Sequence, residues 1–341
     1  MKYSLIVPVW NRPEEVRELL ESLSAQSYRD FEILIVEDGS SIPCRDVVAR
    51  FAGIDRDHGT GPGAGTMDIT YLEKSNSGPG PSRNYGAARA KGGYLVFLDS
   101  DVTVPAGWFE AMDAELASCP ADAWGGPDRA GEGFTDIQKA ISYSMTSFFT
   151  TGGIRGGRRK MDKFYPRSFN MGIRKEVFEA LGGYSQMRFG EDIDLSIRIF
   201  KAGFECRLFP EAWVFHKRRT DFRKFFRQVH NSGIARINLY KKYPESLKVV
   251  HLLPAAFTVG VAVLLLGGLV SRTCWFLIFL YALLIFCDST WENDSWRIGL
   301  LSVAAAFVQL TGYGSGFLRA WWSRCVKGRG EMEAFRTNFY K

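Results

Sequence analysis

The sequence predicts an α/β fold with a mostly parallel central sheet, followed by C-terminal transmembrane helices. Three observations lead there. Apolar β-rich runs alternate with helical patterns over the first hundred residues, two of those runs end in carboxylates, and the last third carries uncharged stretches long enough to cross a bilayer.

The elements follow in order. "SLIVPVW" (4–10) and "FEILIVEDGS" (31–40) are strand-like runs separated by "RPEEVRELLESLSAQSY", where Val16, Leu19, Leu20 and Leu23 recur at helical spacing after Pro13. A weak strand "DITYLEK" (68–74), a small-residue helix "PSRNYGAARAKG" (81–92) and a strand "GYLVFLD" (93–99) continue the alternation, as a parallel sheet covered by helices requires. In such sheets ligands sit at the carboxyl ends of the strands, so Asp38 and Asp99 should project into one crevice.

Composition bounds the rest. With 341 residues, 46% hydrophobic and 14% aromatic, the chain holds a large folded domain plus an appendage and is neither disordered nor of low complexity. A formal charge of +6 is modest, and no nucleic-acid polymer is expected as a partner. Six scattered cysteines without C-x-x-C spacing indicate neither zinc nor a disulfide framework. "KYSLIVPVW" enters a strand at once with no secretory pattern, so the first domain is expected in the cytoplasm.

The C-terminal third changes character. "VVHLLPAAFTVGVAVLLLGGLV" (249–270) has no formal charge, and about 20 such residues cross a hydrocarbon core of about 30 Å. "CWFLIFLYALLIFC" (274–287) follows after a tight connection, which makes a hairpin. A third stretch, "IGLLSVAAAFVQLTGYGSGFL" (298–318), is interrupted by Gln309, Thr311 and several glycines. Three full spans would place the tail outside, yet residues 319–341 carry six basic side chains against Glu331 and Glu333, and short basic tails prefer the cytoplasmic side. The expectation is therefore a two-span hairpin (249–270 and about 272–290), an incompletely crossing third helix and a cytoplasmic tail. The alternative is three buried helices of a soluble domain.

Two acidic pairs carry the chemistry. Asp99 and Asp101 flank Ser100 at a strand end, where two carboxylates can share a hard divalent cation with substrate phosphates; a polar turn with an aspartate cap is the other reading. In "GEDIDLSIRI", Glu191, Asp192 and Asp194 occupy the first turn of a helix, where a carboxylate is favoured by the helix dipole even without a catalytic role. Arg83 and Asn84 follow "SGPGPS", whose glycines and prolines allow backbone N–H groups to approach an anion at a helix N-terminus, and the Arg fork suits phosphate oxygens.

"SLIVPVWNR", "EILIVEDGSS" (32–41), "NSGPGPSRNYGAARAKGGYLVFLDSDV" (76–102) and "FGEDIDLSIRIFKAGF" (189–204) occur in an order and spacing that resemble the family 2 inverting glycosyltransferases of membrane-attached bacterial type. The resemblance covers roughly residues 3 to 220 and implies the nucleotide-diphospho-sugar transferase (GT-A) fold. It further implies that Pro8, Asn11, Arg12 and Asp38 line the nucleoside pocket, that Arg83 and Asn84 meet the diphosphate, and that Asp99-Ser100-Asp101 is the D-x-D. There Asp99 meets the ribose or the metal, and Asp101 ligates a divalent cation, Mg2+ or Mn2+. Asp192 of the Glu191-Asp192 pair is then the general base, and Asp194 a cap or an acceptor contact. His216, which ends "EAWVFHKRRT", matches a metal-contacting histidine of some relatives, although a lone histidine after a strand is as often a packed polar residue.

Two basic stretches bear on the acceptor. "IRGGRRKMDK" (154–163) places Arg155, Arg158 and Arg159 in a glycine-rich segment, either a solvated loop or a contact for lipid phosphates. "DFRKFFRQVHNSGIARINLYKKY" (221–243) reads as an amphipathic helix for a headgroup layer. Processive relatives carry Q-x-x-R-W near Gln228, whereas here "VHNSG" follows, which argues for one sugar at a time. The expected organisation is a catalytic domain over 1–220, an interfacial helix and linker over 221–248, a membrane region over 249–320 and a basic tail over 321–341. The expected activity is transfer from a nucleotide-diphospho-sugar to a lipid-linked or cell-envelope glycan acceptor. The site of action is the inner (plasma) membrane, as a multi-pass protein with its catalytic domain facing the cytoplasm. A metal-dependent nucleotidyltransferase and a non-catalytic membrane scaffold of the same fold are the alternatives; the first would release pyrophosphate and has no use for the Glu-Asp pair, the second has no need of the acids.

Overall fold

The computed structural model describes residues 1–52, 67–129, 131, 133–151 and 164–331. In chain order the first elements are β1 (Tyr3–Val9), α1 (Pro13–Ser24), β2 (Phe31–Asp38), α2 (Arg45–Phe51), β3 (Ile69–Lys74), α3 (Pro79–Ala87), β4 (Tyr94–Leu98), β5 (Val102–Thr103), α4 (Trp108–Ser118), β6 (Ala123–Gly125) and β7 (Asp128–Arg129). Two helices follow, α5 (Asp136–Thr146) and α6 (Phe148–Thr151). The chain then gives β8 (Asn170–Arg174), α7 (Lys175–Ala180), α8 (Glu191–Lys201), β9 (Cys206–Leu208) and β10 (Val214–His216), and ends in α9 (Phe222–Lys242), α10 (Leu253–Gly267), α11 (Arg272–Asn293) and α12 (Trp296–Trp321).

The elements form two compact units. Met1–Arg129 and Phe164–Lys217 belong to the first, and α5, α6 and Arg218–Glu331 to the second. This departs from the expected contiguous domain over 1–220. The face of α5 that carries Ala140, Ile141 and Met145 is apolar and buries against Phe225, Val229, Ile298 and Ala305 of the C-terminal helices.

In the first unit a seven-stranded sheet runs β3-β2-β1-β4-β8-β6-β9. The pairs β3–β2, β2–β1, β1–β4 and β6–β9 are parallel, and β8 alone runs against its neighbours β4 and β6. All eight residues of β2 are buried, because helices cover both faces and the run is apolar without alternation. α1 starts on Pro13 and buries Val16, Leu19, Leu20 and Leu23, the periodic positions of the sequence. Each such leucine stabilises the unit by about 1.5–3 kcal/mol. The carboxyl ends of β1, β2 and β4 lie at one edge, which gathers Asn11, Asp38 and Asp99 there. A second, three-stranded sheet, β5-β10-β7, brings residues 102–103, 214–216 and 128–129 together.

In the second unit α9 and α12 pack closely along small residues: a Cβ on Gly233 would stand 2.1 Å from the Tyr313 carbonyl oxygen, and one on Gly316 2.0 Å from that of His230. The apolar face of α9 is thereby covered, with Phe225, Val229, Ile234 and Ile237 buried, so this face is not free to lie in headgroups as expected. Among the described residues, three helical stretches are long and apolar enough to cross a membrane: Val249–Gly267, Arg272–Asn293 and Trp296–Val326. The first two are almost wholly uncovered, whereas half of the third is buried. The glycines of the third stretch do not interrupt it; α12 is one unbroken helix, and those glycines serve close packing.

Candidate active site

β4 delivers the first acids. Its last residue is Leu98, and Asp99, Ser100 and Asp101 form the turn that leads into β5. β5 pairs with β10 in a register that sets Val102 opposite His216. That pairing carries the imidazole to the acids: His216 Nε2 lies 3.4 Å from Asp101 Oδ1, and its Nδ1 3.8 Å from Asp128 Oδ2. One ligand atom each from Asp99, Asp101 and His216 falls within 4.8 Å of the others. Arg12, from the β1–α1 connection, places Nη1 2.5 Å from Asp101 Oδ2, so a cationic group already stands beside this carboxylate. Two carboxylates and an imidazole, with a guanidinium drawn to the same oxygens, fit a divalent cation of the Mg2+ or Mn2+ kind. Burial disfavours a charged His216, yet the bond to Asp101, with the charges of Asp101, Asp99 and Asp128, raises its affinity for a proton above the ordinary imidazole value.

Arg83 joins the two acidic pairs. It projects from α3, is only 3% exposed, and reaches Asp99 Oδ1 with Nη2 (2.6 Å) and Glu191 Oε1 with Nη1 (3.0 Å). Glu191 and Asp192 open α8, with their charges at the favourable end of its dipole. Burial, then the neighbouring Asp192, push the Glu191 carboxyl from 4.5 up to about 7, against the pull of Arg83. Asp192 keeps some exposure; its Oδ1 accepts from the Ile193 N–H (2.8 Å) and its Oδ2 meets Arg167 Nη1 at 3.1 Å.

The remaining expected residues sort by what they touch. The Asp38 carboxylate is 1% exposed and accepts from Lys74 Nζ (2.5 Å), Ser77 N–H (2.9 Å) and Gly78 N–H (2.8 Å). It thus fixes the loop into α3, where Gly78 takes φ +94°, a value open chiefly to glycine. Asn11 also has a positive φ of 54°, and its Oδ1 accepts from the Ile42 N–H at 2.9 Å, which ties the β1 and β2 ends together. Pro8 is the one half-buried residue of β1, and Ser100 is buried. Asn84 exchanges two hydrogen bonds with the Tyr184 backbone, each 2.8 Å, which orients the segment before α8.

Asp194 is a correction. It is fully buried and paired with Arg198 at 2.9 Å, so it holds α8 in place and does not face an acceptor; at i+3 from Glu191 it falls on the inner side of the helix. Arg155, Arg158 and Arg159 lie outside the described residues.

Sequence reasoning missed Lys74 and Arg167. Lys74 ends β3 in register with Asp38 at the end of β2, a pairing readable once both strand ends are aligned. Arg167 stands in an irregular segment with no local signal. Beside Lys74, an open cleft of about 330 Å³ is lined by Glu37, Gly39, Ser40, Pro43, Glu73 and Lys74.

Known proteins bear on this arrangement. The chain is 27% identical over 254 residues to the pre-mycofactocin glycosyltransferase of Mycobacterium tuberculosis, a match that covers 71% of this chain and 48% of that protein. The chain therefore spans about half the length of that curated relative. It is 22% identical to the glycosyltransferase AglE of Haloferax volcanii, covering 75% of this chain and 80% of AglE. Among solved structures, the mannosyltransferase PcManGT from Pyrobaculum calidifontis, in complex with GDP-Man and Mn2+, superposes with a TM-score of 0.64 at 18% identity, covering 94% of this chain and 87% of that one; it shares the GT-A fold. The profile "Glycosyl transferase family group 2" matches residues 164–287, and the profile "Glycosyl transferase family 2" matches residues 4–182, more than half of the sequence. Fold, motif order and profile agree, and the chain belongs to glycosyl transferase family 2, a family of glycosyltransferase enzymes.

Proposed function

We propose that the first unit moves one sugar at a time from a nucleotide-diphospho-sugar to an acceptor hydroxyl, with inversion at the anomeric carbon. The acceptor is a lipid-linked or envelope glycan, and the protein works at the inner (plasma) membrane with this unit on the cytoplasmic side. The observation that carries the reading is the buried Arg83, which holds the Asp99 and Glu191 carboxylates on one guanidinium and so joins the D-x-D to the acids of α8. PcManGT was solved with GDP-Man and Mn2+, which supports a nucleotide-sugar donor and a divalent cation for this chain.

Asp99, Asp101 and His216 would hold that cation, Mg2+ or Mn2+, which supplies charge neutralisation to a departing diphosphate. Arg12 is the residue that must yield its place on Asp101 when the cation arrives. Pro8, Asn11 and Ser100 would contribute to the donor pocket at the strand ends, and the cleft beside Lys74 offers room for a nucleoside. Asp38 shapes that cleft by fixing the 75–78 loop.

Asp192 acts as general base. The acceptor oxygen bonds to the anomeric carbon as the sugar–phosphate bond breaks, the bonding pair leaves with the nucleoside diphosphate, and the hydroxyl proton passes to the Asp192 carboxylate. Glu191, bound to Arg83, sets the start of α8 and with it the place of Asp192. Purified protein given a panel of nucleotide sugars and divalent metal should release free nucleoside diphosphate from at least one of them. Release of pyrophosphate instead would identify nucleotidyl transfer and overturn the reading.

A further inference from the structure

The packing within the second unit distinguishes its three apolar helices. Along α12, contacts with the α10–α11 pair occur in one order. A Cβ on Gly299 would stand 2.0 Å from Thr290 Oγ1, Ser302 and Ser289 hydroxyls bond at 2.7 Å, and Ala306 packs on Ile285. Phe307 then meets both Tyr281 and Phe257, with ring centroids 5.7 and 5.6 Å apart. Thr258 Oγ1 donates to the Leu310 carbonyl at 3.3 Å, and a Cβ on Gly314 would stand 2.3 Å from the Pro254 carbonyl oxygen. α12 thus follows α11 backwards from its end as far as Tyr281, then transfers to α10 and follows that backwards from Thr258.

A third helix lying alongside an antiparallel hairpin cannot run antiparallel to both arms. It must cross where they diverge, and the Phe257–Tyr281 contact (5.2 Å) marks that point. The arms beyond it, toward the turn at Gly268–Ser271, are left uncovered: Val263, Leu266, Leu269, Val270, Phe276 and Phe279 are each 59% exposed or more. The second half of α12 turns to α9 instead. Ser315 Oγ lies 3.0 Å from His230 Nδ1, Gly316 rests on the His230 carbonyl, and beyond the helix Arg324 bonds Asn238. α9 carries Arg223, Lys224, Arg227, Arg236, Lys241 and Lys242 and cannot cross lipid.

We infer that only the α10–α11 hairpin traverses the bilayer, that α12 enters it part-way and crosses the hairpin obliquely at the level of Tyr281, and that the segment after α12 returns to the side on which α9 lies. The uncovered arms are the lipid-facing surface. On α11 the exposed Trp275 and Trp291 stand sixteen residues apart, about 24 Å of helix, which sets each ring just inside an opposite face of a hydrocarbon core of about 30 Å. Arg324, Lys327 and Arg329 then fall where positive charge is retained. That this side is the cytoplasm rests on the proposed use of nucleotide sugars; that α9 and the tail share a side does not.

Single cysteines at Lys241→Cys, Val270→Cys and Lys327→Cys, in the full chain with its native cysteines replaced, are labelled with an impermeant thiol reagent on intact bacterial cells and again after permeabilisation. Labelling of the Val270 position alone before permeabilisation is expected. If the Lys327 position labels together with Val270, α12 is a third full span and the inference fails; it fails equally if all three positions behave alike, since nothing then crosses. Labelling of Lys241 and Lys327 with protection of Val270 keeps the shared side and overturns the cytoplasmic donor instead. Should the cysteine-free chain not fold, C-terminal fusions of the native chain decide the same point: a fluorescent protein should light up and an alkaline phosphatase should stay inactive.

Discussion

Asp101 collects more of the site's charge than any other carboxylate, with Arg12 on one oxygen and His216 near the other. Asp101→Ala is expected to abolish transfer and metal-dependent nucleotide binding together, because the cation loses its anchor while the diphosphate keeps its charge; calorimetric titration of nucleoside diphosphate with and without Mn2+ reads this, and unchanged metal dependence would refute the assignment. Asp192→Asn should leave donor binding near its original value and lower turnover by about 10² to 10⁴, the usual worth of a general base. A collapse of donor affinity would move Asp192 to a donor contact. Glu191 bears on stability in the opposite sense from a carboxylate whose pKa folding lowers. Its proton is held more tightly in the fold than in the unfolded chain, so its contribution to stability is full below pH 4.5 and is lost as pH rises towards about 7. Glu191→Gln, which keeps a neutral group there at all pH, should therefore gain in melting temperature relative to the parent between pH 5 and pH 8; a constant gap would show that Arg83 alone governs the site. The positions of Asp99, directly after β4, of Asp101, two residues on in the same turn, and of Glu191 and Asp192, which open α8, were legible from the strand and helix patterns. Arg167 was not, because its segment has no period and its partner is 25 residues away.

At the scale of elements, the strongly patterned ones were readable and the short ones were not. β1, α1, β2 and β4 stand within a residue or two of their sequence-derived limits, since each carries a continuous apolar run or a clear helical repeat. β6, β9 and β10 have three residues apiece, too few to show a period, and exist because neighbouring strands supply their hydrogen bonds. Without β10 no local pattern brings His216 to Asp101; only the resemblance to the family did so. The glycines of 298–318 misled for a different reason: in water they weaken a helix, but between helices they permit backbone approach. Gly316→Ala should force α9 and α12 apart and cost about 1–3 kcal/mol, the usual toll of overpacking. Gly260→Ala, on the uncovered α10, meets nothing within 4 Å and should be neutral or mildly stabilising. Thermal unfolding in detergent checks the pair, and equal melting temperatures would mean that the α9–α12 contact is looser than its carbonyl distances indicate.

At the scale of the whole molecule, chain order and structural units disagree, and the disagreement can be tested. Asp38, Arg83, Asp99, Asp101, Glu191, Asp192 and His216 all belong to the first unit, yet that unit is interrupted by α5 and α6, which belong to the second. A break after Lys217, three residues before the domain edge the sequence suggests, would leave Ala140, Ile141 and Met145 without Phe225, Val229, Ile298 and Ala305 over them. Uncovering the larger of these side chains costs about 1.5–3 kcal/mol each, and the exposed stripe invites association. Residues 1–217 alone should therefore aggregate in the absence of detergent. The same truncation with 130–163 replaced by a glycine-serine linker removes the stripe and keeps Asp38, Arg83, Asp99, Asp101, Glu191, Asp192 and His216, so it should elute as a monomer and bind nucleoside diphosphate in a Mn2+-dependent way. Gel filtration and titration of the two proteins side by side decide it. A monomeric, soluble 1–217 would show that α5 and α6 rest on the first unit after all, and loss of nucleotide binding in the excised form would place a donor contact within 130–163.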